Sequence, residues 1–579
     1  MKTPSRVMLL GAGFVTCLAI LTIAASAQQP VRSSSWTLWV GSHYTGLEDF
    51  YKKVGEFDRG EEGAMPEVSF TYRGYDGPRS LDFSGQFYDP KRMSVNVSGR
   101  ASEVLSGKVS YQSFFRQQSA DFMDNLSARE ALDRDDLQTP GGKMVTHDPV
   151  SEMDFGYTRH RVDSDFEVKV PGSAGVRFHA SYRGTFDKGD EQKIVSMHCS
   201  SCHQVSMSIP IDRQTHNIGG GVAADFGPVS VSYDLGYRSF VSNAATATAF
   251  YDTTQHPVNG GSIGEFESRM NFSAEVVPFS EYADIQALTH TLRANTAIGK
   301  TKIFGSFTSA TADNTTYDIG YQSNGGSLKV IHPTSRKTKL VVQGAFRRNE
   351  SDSYVVDLAA WRDGLTGGGQ DFDWTRYSNL SRTELKGSGE FIYQPQRRYR
   401  FSALAGYEAT TRDDYPYYGA DQEETVLRGE LGFKYRPSLK FTGQAKLRVE
   451  SIDNPFSPYG QLYESYGKDA LHKMPDNASY YYFQRDSLRY GEFTNQPTSR
   501  FGGDLKLSLR PTGKLTLGAS FRATLEKNSD LQNLEYERTI IQPMLSASLA
   551  PSSAWTLYAD YSYLMDKSNG LAVVAMMDG

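Results

Sequence analysis

The chain has 579 residues, with 61 Lys+Arg against 67 Asp+Glu for a formal net charge of −6, and it carries 34 Tyr and 32 Phe. That balance excludes a broadly basic nucleic-acid surface. Beyond the N-terminus no run approaches the ~20 apolar residues of a membrane-spanning helix. An exported, polar, aromatic-rich chain without apolar helices fits an outer-membrane barrel, whose strands show only alternate residues to lipid.

Lys2 and Arg6 precede an apolar stretch running from Val7 towards Ala25, and Ala25-Ser26-Ala27 offers a small-x-small cleavage site before Gln28. Residues 1–27 therefore read as a secretory signal peptide, and Cys17 leaves with it. Residues 28–579 read as one barrel without domain linkers, and loss of two basic residues lowers its net charge from −6 to −8.

Polar segments and turn signals then alternate along the chain. Tight turns are expected at Pro171-Gly172-Ser173, Gly227-Pro228, Pro395-Gln396, Pro437-Ser438, Pro511-Thr512-Gly513 and Pro551-Ser552-Ser553. Long polar segments fall between them, near 116–150, 188–213, 241–263, 350–379, 409–423, 452–497 and 524–535. Short periplasmic turns alternating with long extracellular loops are the habit of a transmembrane antiparallel β-barrel.

Within 188–213 lies His198-Cys199-Ser200-Ser201-Cys202-His203, with the only cysteines outside the leader. Cys-x-x-Cys-His is the order that covalent haem c attachment requires: two thiols for the porphyrin vinyls, then a histidine for the iron. On this reading Cys199 and Cys202 hold the haem and His203 is the metal ligand, with Met207, His216, His179 and His198 as candidates for the distal position. Three other readings stay open. One is a Cys199–Cys202 disulfide bracing the loop. Another is zinc, for which the spacing of His198 and His203 is poor. The last is a redox dithiol, which lacks a surrounding βαβ pattern. Counting from the turns at 171–173 and 227–228 places the motif on the outer side.

The clearest strands follow. Val229, Val231, Tyr233, Leu235 and Tyr237 alternate with Ser230, Ser232, Asp234, Gly236 and Arg238. Leu427 to Tyr435 and Leu439 to Val449 repeat this, with Arg428, Lys434, Lys440, Lys446 and Arg448 on the polar face. The hairpin 505–523 does so again. Period two over many segments predicts an all-β fold, a large barrel of about 24 or more strands. After Trp555 to Leu564 the sequence carries no closing aromatic, which reads either as one or more missing C-terminal strands, the favoured expectation, or as an atypical tail.

Several segments resemble the MtrB/PioB-type decahaem-associated outer-membrane porin family. Lys53-Val54-Gly55-Glu56-Phe57 is similar to the family's Lys-aromatic-Gly-Glu-aromatic segment, departing at Val54. Asp124-Asn125-Leu126 sits in a long early loop. Cys199 to His203, Ile211 to Thr215, Gly219-Gly220-Gly221 and the strand Val229 to Phe240 resemble relatives with a Cys-x-x-Cys-His loop. The resemblance implies a porin that sheathes a periplasmic multihaem c-type cytochrome inserted in the barrel, sometimes with an extracellular multihaem cytochrome docked outside, for extracellular electron transfer across the outer membrane. The lumen charges would then contact the cytochrome. One departure stands: the N-terminal Cys-x-x-Cys of the name-giving branch has no counterpart between Gln28 and Asp190. The alternative is a passive solute porin with a disulfide-braced external loop. No zinc-protease helix motif occurs, and an enzyme is not expected.

Overall fold

The computed structural model describes residues 32–46, 62–118, 121, 145–147, 155–173, 175–198, 202–251, 275–356, 374–376, 378, 380–412, 423–455, 496–529, 536–552 and 554–570. Among them there is no helix, and 23 strands form one sheet. Successive members pair antiparallel from Arg32–Thr45 to Tyr536–Ser552, against which both Trp555–Ser562 and Met565–Asn569 lie antiparallel. One short segment, Val145–His147, pairs parallel with residues 203–205. No pairing among the described residues joins the sheet's two edges. The all-β expectation and the single large antiparallel sheet are borne out.

Most strands hold 13–16 residues, as in Gly156–Lys169, Tyr399–Thr411 and Glu423–Ser438. That exceeds the ~9–11 needed to cross a bilayer. Register preserves the alternation from strand to strand: Leu431 stands opposite Leu447 while Arg428 stands opposite Glu450. The burial pattern is inverted relative to a water-soluble protein. On the apolar face Leu427, Leu431 and Leu545 are 59, 61 and 58% exposed, whereas Glu450, Glu526 and Asp187 on the polar face are 4, 8 and 7% exposed. Large apolar side chains left uncovered along a whole sheet face have lipid as their natural solvent.

Two expectations about boundaries are corrected. Pro395, Pro437, Pro511 and Pro551 do not sit in the turns. Each lies in an irregularity of the ladder, between Tyr393 and Gln396, Tyr435 and Ser438, Leu509 and Thr512, and Leu549 and Ser552. Proline has no N–H to donate, so an interrupted register is where a strand tolerates it. The residue before each proline still bonds to a neighbouring turn: Gln394, Arg436, Arg510 and Ala550 donate to the carbonyls of Lys337, Arg398, Lys440 and Lys514 at 2.7, 2.7, 2.6 and 2.8 Å.

The second correction concerns 188–213, expected as a loop. Arg177–His198 and Cys202–Phe226 are strands of 22 and 25 residues, paired up to His198 opposite Cys202. They project beyond Gly156–Lys169, whose last partner is Asp190. Past its flanking strands the hairpin has no sheet face to impose period two, so the strand signature fades from the sequence while the backbone keeps its ladder.

Candidate functional site: the polar face of the sheet

Period two sends one residue in two to the polar face, and that face is organised into two regions. The first is a belt of alternating charge. Arg428, Glu450, Arg500 and Glu526 stand directly opposite one another on four consecutive strands. Glu450 accepts from Arg428 Nε at 2.9 Å and from Arg500 Nη1 at 2.7 Å, and Glu526 accepts from Arg500 Nε at 2.7 Å. The belt continues through Glu408 to Lys386 and Glu384, and at its other end the Tyr536 hydroxyl donates to Glu526 at 3.3 Å. Lower on the same wall Glu430 accepts from Lys446 at 2.7 Å and lies 3.6 Å from Arg448. Arg428, Lys446 and Arg448 were expected to face a partner; instead they brace the wall.

The second region is a groove of about 1220 Å³ on the strands Leu105–Gln117, Gly156–Lys169, Arg177–His198, Cys202–Phe226, Val229–Ser242 and Ile285–Ile298. Five arginines line it, Arg116, Arg159, Arg183, Arg213 and Arg238, against three aspartates, Asp163, Asp165 and Asp187. Arg159 holds Asp187 with a two-pronged contact, Nε to Oδ1 and Nη2 to Oδ2, both 2.7 Å. Asp163 accepts from Arg161 Nε and from Arg183 Nε, both at 2.6 Å. Two carboxylates are thus saturated by arginine forks, the strongest geometry for such a pair.

Above this pair, cations and rings form a column. Arg159 lies over the Tyr157 ring at 5.3 Å, and Arg213 lies over Tyr157 at 5.6 Å and over Tyr282 at 5.0 Å. Lys193 lies on Tyr282 at 5.2 Å, and the Tyr282 hydroxyl donates to Glu191 at 2.5 Å. Distances within ~6 Å of a ring centre are attractive for a cation. Lys193 sits where the hairpin projects past its neighbour. There burial pulls its ammonium down, but the Tyr282 hydroxyl and the Glu191 carboxylate outweigh it and hold it above the ordinary lysine range.

The apolar face carries its own polar pairs. Tyr111, Tyr182 and Tyr233 hydroxyls bond the Nδ1 of His160, His216 and His290 at 2.8, 2.9 and 2.7 Å, each histidine diagonal to its tyrosine on the next strand. Pairing removes the cost of an unsatisfied polar group facing lipid.

The cysteine motif lies apart from both regions. Cys199 falls outside the described residues, and Cys202 and His203 open the second strand of the projecting hairpin, with His203 opposite Met197. His216 is committed to Tyr182, and His179 lies 3.0 Å from Asp234. At about 3.3 Å per residue both are some 40 Å or more along the strands from His203, so neither is a distal ligand for a haem held there. The groove was not anticipated. Its signal was present as Arg and Asp at every second position, Arg159-x-Arg161-x-Asp163-x-Asp165 and Arg183-x-Thr185-x-Asp187.

No family model and no curated protein matches this chain. Among solved structures it is similar to the copper transporter OprC at 9% identity and a TM-score of 0.44, covering 94% of this chain and 81% of that one. It is similar to the FrpB iron transporter from Neisseria meningitidis at 9% identity and 0.43, over 92 and 78% of the two chains. It is also similar to the pyoverdine outer-membrane receptor FpvA from Pseudomonas aeruginosa PAO1 at 9% identity and 0.43, over 88 and 74%. At such identity the likeness speaks to the fold.

These neighbours correct the functional expectation. They are transporters and a receptor, not a cytochrome-housing porin or a passive porin. The sheath for a multihaem cytochrome, its inserted and docked cytochrome partners, its role in extracellular electron transfer and the passive-porin alternative are therefore set aside. The expected location stands: the chain is an outer-membrane protein of Gram-negative type.

Proposed function

We propose that this chain is a substrate-selective outer-membrane transport protein whose sheet closes into a transmembrane barrel. In this reading the short connections, such as those after Phe226, Ile298 and Ser438, face the periplasm, and the long ones face outside. About 22 strands spaced ~4.8 Å apart and tilted ~40° enclose a wall roughly 45 Å across, far too wide for side chains to fill. Such a lumen is wet or occupied, which accounts for a polar face made of paired charges.

The observation that carries selectivity is the groove. A passive pore needs only a wet wall, whereas here aromatic rings and arginines converge on one site of about 1220 Å³ among strands that reach the outer end. A built site on a passage wall makes transport saturable. A copper transporter, an iron transporter and a pyoverdine receptor are among the solved structures this fold is similar to, and transport of a solute, without catalysis, is the activity proposed here. The test is uptake into vesicles carrying the purified protein, measured against concentration for a panel of small polar solutes. A saturating curve that differs between solutes of equal size is expected. Uptake that rises linearly and equally for all of them defeats the reading.

A further inference from the structure

Among the described residues, the groove's ion pairs leave Arg213 and Arg238 over. Arg159 is taken by Asp187 and Arg183 by Asp163, but Arg213 and Arg238 make no ion pair among the described residues. Arg213 is the more telling. Its Nε is buried without a hydrogen-bond partner, and its guanidinium is held between the faces of Tyr157 and Tyr282. Asp187 is its register partner across the ladder, yet both oxygens of that carboxylate are already occupied by Arg159. The rings fix the position of the guanidinium without neutralising it. A charged group immobilised and left without a counter-ion is arranged for something that comes and goes.

Arg238 is on the adjacent strand, opposite Asn217, while Arg213 is opposite Ser242. Four residues of strand separate the two levels, about 13 Å along the sheet. Each side chain reaches several ångströms over the same groove. Thr215, Asn217 and Thr289 line the floor between and beside them and offer neutral hydrogen bonds. Asp165, without an ion pair among the described residues, lies six positions along its strand from Arg159, next to Ser181 and away from Tyr157 and Arg213.

We propose that Arg213 and Arg238 form an anion-binding subsite for a small organic solute bearing at least two carboxylates, with Tyr157 and Tyr282 holding Arg213 in place. The planar fork of arginine matches a carboxylate with two parallel hydrogen bonds, and two forks at separate levels demand two carboxylates on one ligand. The subsite deepens the transport reading and rests on it for its role, but binding itself can be measured without transport.

The probe is succinate, with succinamide as its uncharged counterpart, in equilibrium dialysis against the full-length protein in detergent at low salt. Succinate is expected to bind and succinamide not to. Arg213→Gln and Arg238→Gln are each expected to weaken succinate at least tenfold. Arg213→Lys, which keeps the charge and loses the fork, should weaken it too. Arg522→Gln, removing an arginine paired with Asp504 elsewhere on the wall, should leave binding unchanged. Retention of strand content by circular dichroism and of heat-modifiable migration shows that each variant is folded. Equal retention of both probes, no binding of succinate, or undiminished binding in folded Arg213→Gln overturns the subsite. Succinate binding lost in the variants without saturable uptake keeps the subsite and defeats the transport reading. Saturable uptake of neutral solutes with no succinate binding does the reverse.

Discussion

Glu450 is the point at which the charge belt is most vulnerable. It is 4% exposed and accepts from two arginines on the strands either side of it, at 2.9 and 2.7 Å. Glu450→Ala removes the shared carboxylate and leaves two guanidiniums facing a void. Removing one member of a buried pair costs about 3–5 kcal/mol because the remaining charge stays desolvated. Two features reduce that here. Arg428 keeps Glu408 at 3.4 Å and Arg500 keeps Glu526 at 2.7 Å, and the arginine side chains are 38 and 34% exposed. The expected loss is therefore about 2–3 kcal/mol. Urea unfolding of the protein in lipid vesicles reads it as a lower midpoint at unchanged slope. Glu450→Leu is the informative companion: filling the volume without charge still deprives both arginines of their shared carboxylate, so it should be no better than Glu450→Gln. A double-mutant cycle of Glu450→Gln with Arg500→Gln should give a coupling of about 1 kcal/mol or more. A Glu450→Ala shift below about 0.5 kcal/mol would mean the belt lies in water and braces nothing, and the inward assignment of this face would fail with it.

Further outcomes follow from the same assignment of faces. Leu431→Arg places a charge mid-strand on the apolar face and should cost about 2–4 kcal/mol in vesicle folding, whereas Gln444→Glu on the polar face, between Lys434 and Lys506, should be neutral or stabilising. Equal effects from the two would contradict the lipid-facing assignment. Tyr182→Phe leaves His216 without its 2.9 Å partner on the apolar face and should cost about 1–2 kcal/mol, more than Tyr558→Phe on the edge strand; equality of the two in urea unfolding would deny the pair any role. The Cys199-x-x-Cys202-His203 motif is expected to carry haem c when the protein matures in a host competent for attachment. A haem stain should survive denaturation and vanish in Cys199→Ser. An unstained chain with thiols protected from alkylation would assign the pair to a disulfide.

Much of this architecture was legible in residue order, for reasons that can be stated strand by strand. Where a strand crosses lipid, hydrocarbon on one side and water or charge on the other enforce period two, and Leu427 to Tyr435 or Val229 to Tyr237 could hardly be read otherwise. Where the hairpin 177–226 runs past its flanking strands that pressure ends, and residues 188–213 look like a loop although their backbone bonds continue. The prolines at 395, 437, 511 and 551 announced the short connections but not their position, because a chain that bulges and one that turns both tolerate a missing donor.

The sequence by itself determined export, an all-β chain and, where period two holds, the side of the sheet on which a residue falls, since these depend on hydropathy and parity along one strand. Only the tertiary structure decided which charges meet. Arg428 looked like a free lumen charge until Glu450 was placed opposite it, and Arg213 looked like any loop arginine until register set it between Tyr157 and Tyr282 with its natural counter-ion already taken. Pairing between strands depends on register, and register is set by the ladder as a whole, so a single strand read alone says nothing of its partners.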